Sequence, residues 1–131
     1  MAGSKSDFLE NAVIQHLFES DFSAPANMYV ALYTSAPTDS GGGVECTGGA
    51  YEREAVARQT GWTSAGNATE NASDITFTEA TASWGTVVAF GLFDALSAGN
   101  LLYWGDLTTS KSIDNGDTAK IPAGDLDITE D

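Results

Sequence analysis

The chain has 131 residues, 42% of them hydrophobic, and sets 19 acidic side chains against 5 basic ones, a formal net charge of −14. That length and apolar content predict one domain over 1–131 with a core of its own and exclude a disordered chain. The acidic excess excludes a surface made for nucleic acid or anionic membrane, and leaves either a solvated acidic coat or a basic partner surface.

Residues 1–7 lack the basic and apolar regions of a signal peptide, and no run of 18 apolar residues follows, so a protein made in the cytoplasm is expected. An N-terminal helix is predicted over about 8–18, within 7–19, with Asp7 as its cap and Glu10 at capping-box spacing. Leu9, Val13 and Leu17, with Ile14 and Phe18 beside them, form an apolar stripe that needs a cover, either the rest of the domain or another chain. Beyond residues 20–25 the pattern turns to β, in a domain expected over about 27–129. Strands are predicted at 28–33, 51–57, 75–77, 86–93, 101–107, 118–121 and 126–128. In the first, Tyr29 and Tyr33 share a face. In the last, Leu126 and Ile128 point inward between acidic neighbours.

Residues 34–50 contain Pro37, the run Gly41, Gly42 and Gly43, and the pair Gly48 and Gly49. They read as a segment too flexible for the core: a mobile loop, or an arm that orders on a neighbouring subunit. The densest signal is a hairpin, 86–94 returning through 101–107, with Gly99 and Asn100 suited to the reversal. Strict alternation there groups Val88, Phe90 and Leu92 on one face, and Val87, Ala89, Gly91 and Phe93 on the other. Asn115 and Gly116 carry the signature of a tight hairpin turn. Short, closely spaced strands predict a mainly β fold, a sandwich or jelly-roll-like pair of antiparallel sheets with one short N-terminal α-helix.

Chemistry is thinly supplied. His16 is the only histidine and Cys46 the only cysteine, which makes a zinc site within one chain implausible. Cys46 reads as a small loop residue whose neighbour Glu45 opposes thiolate formation. No nucleophile elbow, phosphate loop or complete calcium loop accompanies these residues. Asn67 and Asn71 match glycosylation acceptors but read as polar loop residues, and no carboxylate pair stands out for glycoside cleavage. Trp62, Trp84 and Trp104 are candidates for sugar stacking or a contact patch. Trp84 and Trp104 lie in the strongest strand signals and are expected to be buried. Catalytic residues, cofactor and metal are all assigned as none.

Several long phrases resemble a family of small tailed-phage virion proteins. They include Tyr29 to Asp39, the Gly-Gly-x-Tyr-x-Arg pattern of Gly48, Gly49, Tyr51 and Arg53, the stretch from Ala80 to Asp94, and Gly99 to Gly105. Ile121 to Ile128 completes the likeness, which spans nearly the whole chain. Members are labelled tail fibre, minor tail or capsid decoration proteins, and this chain departs from them in its acidity. The resemblance implies a non-enzymatic virion part. The leading expectation is an exterior capsid decoration or cement protein stabilising the lattice. The alternatives are a tail-fibre or minor tail protein contacting the host surface and, in another class, a small carbohydrate-binding module.

The expected partners are the major capsid protein or tail proteins and further copies of the chain in the particle, with a host glycan if the location is the tail. Nucleic acid and membrane are not expected partners. The expected contact residues are Leu9, Val13, Leu17, Tyr29, Tyr33, Gly41, Gly42 and Gly43.

Overall fold

The computed structural model describes residues 4–130. Twelve elements follow one another: β1 (Ser4–Lys5), α1 (Asp7–Phe18), β2 (Asn27–Ser35), β3 (Val44–Glu45), β4 (Glu54–Ala57), β5 (Trp62–Ala65), β6 (Ala68–Asn71), β7 (Ile75–Thr76), β8 (Gly85–Phe93), β9 (Leu101–Ile113), β10 (Lys120–Ile121) and β11 (Asp127–Thr129). The fold is mainly β and antiparallel with one helix near the N-terminus, as the short, closely spaced apolar runs require.

The main sheet is ordered β1-β9-β8-β2-β3, with β4 also pairing β2. Facing it are two smaller sheets, β10-β7 and β11-β6-β5. The second layer is therefore split, and the core between the layers binds its pieces to the main sheet. Val30, Leu32, Phe90 and Leu92 of the main sheet meet Ile75, Phe77, Ile121, Leu126 and Ile128 there. Phe77, Phe90, Leu126 and Val30 are among the largest fully buried side chains. A second cluster, Ala31, Tyr33, Ala89, Phe93 and Leu101, lies apart from this core, with Tyr29 and Trp104 packed against it.

Two sequence expectations fail for a shared reason. Strict alternation along β8 puts Val87 with Ala89, yet Val87 joins Phe90 and Leu92 in the main core, while Val88 packs with Ala89. Val87 pairs with Lys111 and Ala89 with Asp106, so the intervening β9 residues, Leu107 to Ser110, loop out opposite Val88. Such an irregularity reverses which side chains face inward. It also lets β9 run on to Ile113, six residues past its predicted end. The hairpin reversal itself takes positive φ at Ala98 and Gly99 rather than at Gly99 and Asn100. Asn100 is held instead by Asp94, whose carboxylate accepts from its backbone N (2.7 Å) and its side-chain amide (2.9 Å).

The Asn115-Gly116 turn forms, with Asp117 N donating to Asp114 O at 2.9 Å, but it leads into β10, which pairs β7 rather than β9. The β5–β6 hairpin was not anticipated. The helix cap lies one residue earlier than expected: Ser6 Oγ accepts from Leu9 N (3.2 Å) and donates to Leu101 O, so the cap is also the helix's attachment to β9.

Truncating Phe90 to alanine removes a ring with no solvent exposure from the middle of the layered core. The Phe90→Ala variant is expected to lose about 3–5 kcal/mol of stability, measured by chemical denaturation.

Candidate functional site

The segment 34–50 is folded rather than arm-like. Pro37 and Cys46 are buried, β3 pairs with β2, and Thr38 and Gly41 exchange backbone hydrogen bonds of 2.8 and 2.9 Å. Gly41, Gly42 and Gly43 all have positive φ, which suits the tight turn that brings the chain back from β2 to β3. A Cβ on Gly43 would meet Ser35 O at 2.6 Å, so this glycine is required by close backbone approach. Asp39 fastens the segment's tip to both ends of the neighbourhood: its carboxylate accepts from Trp104 Nε1 (2.8 Å) and its carbonyl from Asp7 N (2.8 Å).

What organises this region is a charge pair that the sequence reading did not identify. Arg53 donates from Nε and Nη2 to the two oxygens of Glu45, each at 2.9 Å, a bidentate fork. Its Nη1 donates to the carbonyls of Ala95 (2.9 Å) and Ala98 (2.8 Å) in the β8–β9 turn. The guanidinium carbon sits 3.6 Å from the centre of the Phe93 ring, a cation–π contact. Burial works against the Arg53 charge, but Glu45 more than compensates and holds its pKa above the ordinary arginine value.

Tyr51 extends the network, donating to Glu45 Oε2 (2.7 Å) and accepting from Leu32 N (3.0 Å). The ring of Trp84 meets that of Tyr51 edge-on at 5.2 Å, and its Nε1 donates to Gly49 O (2.8 Å). Gly49 has a φ of 52° and leaves no room for a Cβ, which would lie 2.7 Å from Ala82 O. The Gly-Gly-x-Tyr-x-Arg pattern is thus an internal clasp. It presents no group for chemistry to solvent.

The nearby thiol and phenols are held in their neutral forms. Burial, then the charge of Glu45, pushes the Cys46 thiol up from 9.0 to about 11 and the Tyr33 phenol from 10.0 to about 12. Burial likewise raises the Tyr51 and Tyr103 phenols. Tyr103 donates to Glu130 Oε2 at 2.5 Å, and Glu130 also receives Lys5, so the two ends of the described chain meet here.

The expected contact residues do not form one surface. Leu9 and Tyr33 are buried, and Tyr29 is half-buried in the second cluster, so these three serve internal packing. Tyr33, Gly41 and Gly42 do come together with Ser6, Asp7 and Phe8 around a depression of about 550 Å³ at the start of α1. Val13 and Leu17 are exposed, and with them Ile14 (58%) and Phe18 (76%), neither of which was among the expected contacts although both were in the stripe. The stripe is therefore split: Leu9 and Ala12 are covered, while Ile14, Leu17 and Phe18 form an open apolar face.

The aromatic leads for sugar binding are largely committed elsewhere. Trp84 is buried as expected, whereas Trp104 is only half-buried and bonded to Asp39. Trp62 packs against the core. Asn71 is buried: its Nδ2 donates to Ser73 O (2.8 Å) and Pro122 O (2.9 Å) and its Oδ1 accepts from Leu126 N (3.0 Å). That overturns its reading as an ordinary loop residue and makes it a clasp for the second layer. A cleft of about 810 Å³ between the end of β9 and residues 117–127 is lined by Asp117, Asp125, Lys111 and several hydroxyls over Phe77 and Val87. Among the described residues, no three His, Cys, Asp or Glu side chains lie together as a metal would need.

The fold is thus a layered antiparallel domain with the Arg53–Glu45 pair turned largely inward and an apolar helix face left open. The family model described as "Podophage GP4 fiber I protein gp80" matches residues 4–129, and the chain belongs to this family of phage virion structural proteins. No curated protein matches the chain.

Replacing Tyr51 by phenylalanine leaves Leu32 N and Glu45 each short of a partner. The Tyr51→Phe variant is expected to cost about 1–3 kcal/mol in denaturant titrations. Because the folded Cys46 and Tyr33 pKa values lie above their ordinary ones, the stability they lend is intact below pH 9 and declines as pH rises toward 12. Denaturation midpoints measured from neutral to alkaline pH should fall across that window, and less steeply in Tyr33→Phe.

Proposed function

We propose that this protein is a non-enzymatic component of a fibre on the podophage particle, acting through repeated contact with other virion proteins. The observation that carries this reading is the family match, which spans nearly all of the chain and is described by a fibre. It favours the tail-fibre alternative over capsid decoration, since the family's description names a fibre. The glycine segment, tied back by the pairing of β3 with β2, also lends no support to an arm that orders on a neighbouring subunit. The inward or bonded placement of Trp62, Trp84 and Trp104 withdraws the support that a carbohydrate-binding module drew from its aromatics.

In this role the domain is a rigid spacer. Its stability comes from the layered core and the Arg53 clasp, and its contacts gain strength by repetition along an assembly. Copies of the chain associate within the particle together with the other tail proteins.

Quantitative mass spectrometry of purified particles, referenced to the major capsid protein, tests the location. A fibre component is expected at a small fraction of the capsid protein's abundance. Near-equal abundance would return the protein to the capsid lattice, and absence would remove it from the virion.

A further inference from the structure

The outward face of α1 is the most anomalous surface of the molecule. A surface helix ordinarily turns one apolar stripe inward and a polar face outward. Here Leu9 and Ala12 occupy the inner side, while Ile14, Leu17 and Phe18 are 58%, 67% and 76% exposed on the other. A helix apolar on both sides belongs between two layers, of which the domain supplies one.

The charges around that face indicate what the second layer is. No Lys or Arg occurs between Lys5 and Arg53, a stretch that holds Asp7 and Glu10 on the helix and Glu19 and Asp21 just beyond it. The histidine there, His16, accepts from Phe22 N at 3.0 Å through Nδ1 and closes the helix's end. A second copy of the chain is poorly suited to cover this face, because it brings the same acids and the same net charge of −14. Of its 5 cations, Lys5, Arg53 and Lys120 are already paired with Glu130, Glu45 and Asp74. Too few remain to form a basic rim.

We infer that Ile14, Leu17 and Phe18 dock into an apolar groove rimmed by Lys and Arg on a different protein of the same particle. The apolar side chains supply the contact and the acidic ring supplies its steering and its choice of partner. This deepens the fibre reading, on which it rests for the partner being a virion protein, by naming the surface and the chemistry that receives it. It also separates two contacts: attachment to the rest of the particle through α1, and association between copies through some other surface.

The test is a photo-cross-link in assembled particles carrying Leu17→p-benzoylphenylalanine. The exposed position should leave the fold intact, as checked by circular dichroism of the isolated protein. The cross-link is expected on a different virion chain, within an apolar segment flanked by basic residues. A cross-link to another copy of this chain, to an acidic segment, or to nothing in particles that contain the protein would overturn the inference while leaving the fibre reading in place. Absence of the wild-type protein from particles would overturn both. As a second arm, Glu10→Lys with Glu19→Lys is expected to lower incorporation at least tenfold while leaving the denaturation midpoint near that of the wild type. Unchanged incorporation would contradict the steering role of the acids.

Discussion

The Arg53–Glu45 pair is the interaction on which the site-bearing half of the molecule depends. Four hydrogen bonds from one guanidinium join β3, the β8–β9 turn and, through Glu45, the Tyr51 hydroxyl that caps Leu32 N on β2. Arg53 and Ala98 alone lie 45 positions apart in sequence. An arginine suits this role because its planar fork meets both carboxylate oxygens and still has donors left for carbonyls, which a lysine does not. The ring of Phe93 beneath the guanidinium lowers the cost of enclosing the charge.

From that clasp the rest of the region follows. With β3 fixed on β2, the glycines at 41–43 are constrained to tight reversals, and Asp39 is brought to Trp104 and to the first turn of α1. The helix is thereby held at its N-terminal end, by Ser6 against Leu101 and by Asp39, while its C-terminal half offers Ile14, Leu17 and Phe18 outward. An acidic domain with one apolar helix end is well matched to assembly, since like charge keeps unassembled copies apart while the helix face is open to a partner.

Much of the fold was legible where the sequence repeats one physical signal over many residues. The β8–β9 hairpin announced itself through two long apolar runs, and the inward Leu126 and Ile128 through alternation with charged neighbours. The β5–β6 hairpin did not, because Thr, Ser, Ala and Asn carry little hydrophobic signal on a half-exposed layer. Its turn, Gly66 followed by Asn67 between the paired Ala65 and Ala68, was nevertheless a readable hairpin sign. The Val87 face was hidden by the four-residue excursion of β9, a long-range event that local alternation cannot encode. The clasp was hidden for the same reason, although a single arginine in a long acidic stretch was a clue to a buried partner. Glycines at 41–43 read as freedom, whereas their positive φ is used for order.

The account's central claim is that Arg53 and Glu45 act as one unit. A double-mutant cycle with Arg53→Met and Glu45→Gln, followed by chemical denaturation, measures their coupling directly. The account predicts that Arg53→Met alone costs about 3 kcal/mol, because it takes two charge-assisted hydrogen bonds from a carboxylate only a quarter exposed. It also predicts that the double variant is less destabilised than the sum of the singles by about 2 kcal/mol or more. Simple additivity of the two single effects would show that the pair is incidental and that the packing around it holds the region together.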